Sequence, residues 1–198
     1  MALILASASP RRRELLSLIT KDFTVETSRV DEAAITAPTP AKLAQALADA
    51  KCRAVAARHP EDIVIGCDTV VDYAGRVFGK PKDHEDALRM LRALSGAQHH
   101  VHTGVCIAFP GGEERFTVTT KVKFYPIEEA QLEAYAATGE PYDKAGAYAI
   151  QGGCMPYIRE IQGEYTTVVG FPAARFYQEL LKMGVNLQKP EEEEYYEF

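Results

Sequence analysis

Two runs of alternating β-branched and aromatic side chains, His100–Phe109 and Arg115–Tyr125, are separated by a short segment containing Pro110-Gly111-Gly112. Two long strands with so tight a connection fold back on each other, which predicts an antiparallel hairpin. The start of the chain adds a second constraint. Ala2–Ala6 is a short apolar run suited to a buried strand. Ser9 then supplies an N-cap and Pro10 a first-turn proline for a helix over residues 10–20, with Leu15, Leu16 and Ile19 as its inner stripe. Alternation of strand and helix followed by a hairpin requires an α/β fold, a mixed twisted sheet with flanking helices.

The remaining elements follow from punctuation and periodicity. Phe23–Thr27 reads as a strand, Thr39-Pro40 opens a helix to about Arg58, and 62–73 is a β-branched strand closed by Ala74-Gly75. Asp83 caps a helix ending near Ser95-Gly96, and 127–138 and 172–183 read as helices. Tyr148–Ile150, Tyr157–Ile161 and Thr166–Val169 read as short strands. With no internal repeat or linker, the 198 residues divide into one domain over 1–189 and an acidic tail over 190–198. That tail carries Glu191, Glu192, Glu193, Glu194 and Glu197 and no Lys or Arg, so most of the net charge of −6 belongs to it.

The body is therefore almost neutral, which argues against duplex nucleic acid as a partner. No apolar run is long enough for a membrane span, and the apolar start precedes its basic cluster, the reverse of a secretory signal. A cytoplasmic protein with no membrane partner is expected. Cys52, Cys67, Cys106 and Cys154 are scattered, with no CxxC, and read as reduced buried thiols. Exposed strand positions are expected for His99, His100 and His102; two of them on one face do not make a metal site.

Three segments carry candidate chemistry. Ser7-Ala8-Ser9-Pro10-Arg11-Arg12-Arg13 puts hydroxyls and guanidiniums at a helix N-terminus, where free N–H groups and the dipole favour an anion. Three cations oppose that dipole unless an oligophosphate reverses the sign; the bland reading is a capped helix with solvated arginines. Asp68, in a strand otherwise apolar, shares a face with Val64 and Val70. It is either a general base or metal ligand, or an aspartate at a bulge beside Gly66 bonded to nearby backbone. Pro81 keeps Lys80 extended, so Lys80 and Lys82 point to the same side and suit phosphate or plain solvent. The stretch from Gly139 to Gly153, with Lys144 and Gln151, lets backbone approach a ligand, yet matches neither GxGxxG nor GxxxxGK[ST].

Taken in order, LILASASPRRRELL, IGCDTVV, GKPKD, SGAQHHVHTGV, GEPYDKAGAYAIQG and GEYTTVVGFP resemble the Maf family of nucleotide pyrophosphatases, from about residue 3 to about residue 175. The resemblance implies two lobes around a cleft, similar to inosine-triphosphate pyrophosphatases, and hydrolysis of a nucleoside triphosphate to monophosphate and pyrophosphate. It implies Asp68 as proton acceptor, and Ser7, Arg11, Arg12, Lys51 and Lys80 on phosphates. It also implies a divalent cation, Mg2+ or Mn2+, at Glu32 and Asp68; Glu32 and Lys51 enter by resemblance alone. Arg11, Thr69 and Gln151 match the branch resembling dTTP/UTP pyrophosphatases; another branch acts on 7-methyl-GTP. A non-catalytic nucleotide-binding regulator and an RNA-binding module are the rival classes, the second disfavoured by the neutral body. A homodimer is left open.

Overall fold

The long hairpin and the opening strand build one sheet. The structure, a computed structural model, describes residues 1–185 and Leu187; the tail expected over 190–198 lies outside the described residues. Strands β1 (Leu3–Leu5), β2 (Thr24–Val25), β3 (Ile63–Tyr73), β4 (Arg76–Phe78), β5 (Gln98–Phe109), β6 (Gly112–Phe124) and β7 (Ile158–Gln162) form a seven-stranded sheet. Its order is β2-β1-β3-β5-β6-β7, with β4 also on β3. β1 pairs in parallel with β2 and β3, and every other pairing is antiparallel, so the sheet is mixed as expected. The turn at Ala74-Gly75 leads into β4, a strand that the sequence reading did not separate from the loop.

Among the described residues six α-helices flank it: α1 (Pro10–Ser17), α2 (Pro40–Ala56), α3 (His84–Leu94), α4 (Glu129–Ala136), α5 (Tyr165–Val169) and α6 (Ala173–Lys182). Ser9, Thr39 and Asp83 cap α1, α2 and α3 through their side-chain oxygens. Strand alternation divides the core between two faces. Ile65, Cys67 and Val71 of β3 join the large cluster containing Leu16, Leu88, Leu91, Tyr135, Phe171 and Phe176. Val64 and Val70 face the other way, under α2. There α2 lies almost on the strand backbone: a Cβ at Gly66 would sit 2.3 Å from Ala48 O, and one at Gly104 would sit 2.5 Å from Ala44 O.

Two segments expected as strands differ. Tyr148–Ile150 is irregular, because Gly146 and Ala147 have φ of 73° and 60° and reverse the chain immediately before it. Thr166–Val169 is helical: Gly170, at φ 125°, ends the turn, and the Thr166 hydroxyl accepts from Ala173 N–H. Tertiary bonds override β-propensity there. The histidines are also corrected. His99 is fully buried against Phe124 and Tyr148, and His102 is buried between Asp72 and Thr119; only His100 is partly open. Among the described residues no helix is long and apolar enough to cross a membrane, and all four cysteines are buried and free.

Candidate active site

Neighbouring residues on a strand point to opposite faces, so Asp68 and Thr69 can meet one ligand only at an open strand edge. β3 has such an edge. β1 pairs with Ile63–Ile65 and β4 with Val71–Tyr73, and no strand covers residues 66–70 on that side among the described residues. The opposite edge is zipped to β5 from Val64 to Asp72, without a bulge. The aspartate-at-a-bulge reading therefore fails: Asp68 sits in regular strand and takes its partner from α2.

That partner is Lys51, whose Nζ lies 2.5 Å from Asp68 Oδ1 and 2.9 Å from Glu32 Oε1. Lys51 belongs to the buried stripe of α2, with Ala44, Leu47, Ala48, Cys52 and Val55, and the side chains of Lys51 and Asp68 are each 11% exposed. A carboxylate that deep is tolerable because an ammonium meets it. Glu32 stands on a single turn capped by Asp31 and is more open. Asp68 Oδ2 makes no hydrogen bond among the described residues, which leaves it for water or a metal.

On the other face, Arg12 is held by three acceptors. Nε donates to Gly170 O at 2.9 Å, one terminal nitrogen to Ser7 Oγ at 3.2 Å, and the other to Thr69 Oγ1 at 3.3 Å. A guanidinium has five N–H groups, so two remain to be given. Ser7 Oγ accepts from Arg12 and from Ser9 N–H, each at 3.2 Å. Both lone pairs are used, and the hydroxyl proton has no acceptor among the described residues. Ser7 and Arg12 together therefore offer only donors, the polarity that an anion needs. Gly170, at φ 125°, enters this set through its carbonyl, a role that nothing local in GEYTTVVGFP signals.

The other expected residues are less tightly gathered. Arg11 reaches Asp143 at 4.0 Å. Lys80 is exposed, but the preceding Gly79 carbonyl accepts from Gly146 N–H at 3.0 Å, fixing its loop beside the segment that holds Asp143. Gln151 is exposed and makes no hydrogen bond among the described residues. Arg13 turns away: it lines an open depression of about 700 Å³ with Ser17, Lys21 and Phe23, on the outer flank of α1, which holds none of the groups above. Cys67, beside Asp68, is not a nucleophile, because burial pushes its thiol up to about 11 and Sγ donates to Gly170 O.

The carboxylates suit a hard divalent cation. Mg2+ is commonly held by one or two carboxylates with substrate phosphates and waters; Glu32 Oε1 and Asp68 Oδ1 converge on Lys51 Nζ, so a cation beside them would take the second oxygen of each carboxylate. Among the described residues no group of three or more His, Cys, Asp and Glu gathers, so a cage made wholly of protein ligands is not what these residues form.

A family model described as "Maf-like protein" matches residues 2–183. The chain belongs to this family. It is 47% identical over 182 residues to a protein of Geobacillus sp. (strain WCH70) named dTTP/UTP pyrophosphatase, covering 92% of this chain and 98% of that one. It is 48% identical over 185 residues to a protein of the same name from Koribacter versatilis (strain Ellin345), covering 93% and 96%. The Staphylococcus aureus Ham1 protein shares the fold, with a TM-score of 0.53 at 16% identity, over 93% of this chain and 100% of that one. All the site residues named above lie within the matched span of the Maf-like family.

Proposed function

We propose that this chain hydrolyses nucleoside triphosphates, dTTP and UTP foremost, to the monophosphate and pyrophosphate, with residues 1–189 acting as one domain. The observation that carries the reading is a donor-only cradle, Ser7 and Arg12, set across one open strand edge from the buried Asp68–Lys51 pair. The names of the relatives support the choice of substrate.

Splitting the α–β anhydride builds negative charge on the leaving pyrophosphate, so donors fixed in advance lower the barrier. Ser7, Arg11, Arg12, Lys51 and Lys80 bind phosphate oxygens, and the three acceptors on Arg12 fix its orientation before substrate arrives. Asp68 accepts the proton of the attacking water through Oδ2, while Lys51 keeps Oδ1 in place. Arg11, Thr69 and Gln151 contact the base. Glu32 and Asp68 would hold Mg2+ or Mn2+, which when bound would supply Lewis-acid stabilisation of the phosphate oxygens.

The test is pyrophosphate release over a panel of nucleoside triphosphates with Mg2+, comparing wild type with Asp68→Asn. Loss of the proton acceptor lowers kcat by about 100-fold or more. If wild type turns over no triphosphate faster than the variant, the reading is wrong. A preference for 7-methyl-GTP keeps the chemistry and changes the base.

A further inference from the structure

Thr69 Oγ1 lies 3.0 Å from Thr103 Oγ1, its partner across the β3–β5 ladder, and distance alone does not say which oxygen donates. The neighbours settle the direction. Thr103 is fully buried and gives its one hydroxyl proton to Thr167 O at 2.7 Å. It can therefore only accept from Thr69. The other acceptor near Thr69, Gly170 O at 3.5 Å, already takes Arg12 Nε at 2.9 Å and Cys67 Sγ at 3.2 Å, one for each lone pair. So the Thr69 proton goes to Thr103. One Thr69 lone pair accepts from Arg12 at 3.3 Å, and one is left. Thr69 is half-buried, on the stretch of β3 whose other edge is uncovered, and what its hydroxyl has left to offer a ligand is a lone pair.

We infer that Thr103 is a positioning residue: by taking the Thr69 proton it makes Thr69 select a base that presents a ring N–H, as uracil and thymine do, over cytosine, whose N3 carries a lone pair. The inference rests on the proposed function, in which Thr69 meets the base. A site built to accept from a ligand N–H rejects an acceptor there, because the two lone pairs face each other unpaired. Ladder pairing makes the relay stiff, since both hydroxyls hang from backbone atoms locked in register.

The test compares kcat/KM for UTP and CTP in wild type, Thr103→Val and Thr103→Ser, with Mg2+. Valine keeps the shape and removes the acceptor, which frees the Thr69 proton to turn to the ligand. The UTP:CTP ratio then falls by about tenfold or more, while serine keeps it within about twofold of wild type. A role in packing alone would slow both substrates equally, and an unchanged ratio in a Thr103→Val protein that melts cooperatively overturns the inference. So does serine behaving like valine. Should Thr103→Val not fold, Thr103→Ala, which also removes the acceptor, is read by the same ratio: a fall of about tenfold or more supports the inference, and an unchanged ratio refutes it. If wild type releases no pyrophosphate at all, the proposed activity is what fails, and calorimetric affinities for UTP and CTP across the folded variants then decide the relay by the same ratio.

Discussion

Replacing Lys51 by methionine keeps the side-chain stem and removes one ammonium from between two carboxylates of unequal burial. The Glu32 leg is 56% exposed, so its loss costs about 1 kcal/mol or less. The Asp68 leg is different, because both side chains are 11% exposed and the carboxylate is left in the protein without its counter-charge. Breaking a buried pair from one side costs about 3–5 kcal/mol. At about 2–4 °C per kcal/mol for a chain of this size, Lys51→Met lowers Tm by about 6–20 °C. Asp68→Asn is milder: it keeps an acceptor oxygen for Lys51, which also retains Glu32, and costs about 1 kcal/mol. The double variant holds no unpaired buried charge, so it melts above Lys51→Met alone. Melting is followed in chelator without nucleotide, because anything bound to the folded state raises Tm by mass action. A Lys51→Met protein melting within about 2 °C of wild type, or a double variant no better than Lys51→Met, would refute the argument and mark the site as solvent-screened.

Two further outcomes test the frame around the site. Burial lowers the His99 imidazole to about 4, while the unfolded chain protonates near 6.5; its contribution of about 3 kcal/mol is complete above pH 6.5 and lost as pH falls through 4. His99→Gln therefore flattens the fall in Tm between pH 7 and pH 4, and an unchanged slope removes His99 from the account. Gly66→Ala places a methyl 2.3 Å from Ala48 O and 2.5 Å from Cys52 Cβ, so α2 must lift, at a cost of about 1–3 kcal/mol or more. Pyrophosphate release should drop further than the folded fraction does, because Lys51 rides on α2; Gly139→Ala, with nothing within 4 Å, should stay within about 0.5 kcal/mol of wild type.

The frame was legible where periodicity and caps agree. Ser9-Pro10, Thr39-Pro40 and Asp83 each start a helix, and alternation placed Asp68 on the face of Val64 and Val70. What alternation could not reveal is distance along the chain. Lys51 reads as one more polar residue of an amphipathic helix, and only the bare backbone at Gly66 and Gly104 brings that helix near enough to bury its ammonium. Gly66 suggests a bulge in the sequence, since nothing local says that a helix lies across it. Thr103 and Gly170 were missed for the same reason, because their partners are 64 and 158 residues away. Tyr148 and Thr166 misled because β-propensity measures fit to a pleated surface, and both side chains are committed elsewhere.

The clasp between Arg12 and Gly170 also dates the pocket within the life of the molecule. Its two ends are 158 residues apart, so a growing polypeptide cannot close it until almost the whole domain has been synthesised. Before then the hairpin and α2 have what they need to form, but the guanidinium has no carbonyl to grip, and Thr103 has no Thr167 carbonyl to bond. The Arg12 half of the site is therefore assembled late, after the Lys51–Asp68 half has all of its residues. A ligand gripped by Arg12 in this fixed orientation would stabilise only chains in which the segment through Gly170 has already docked.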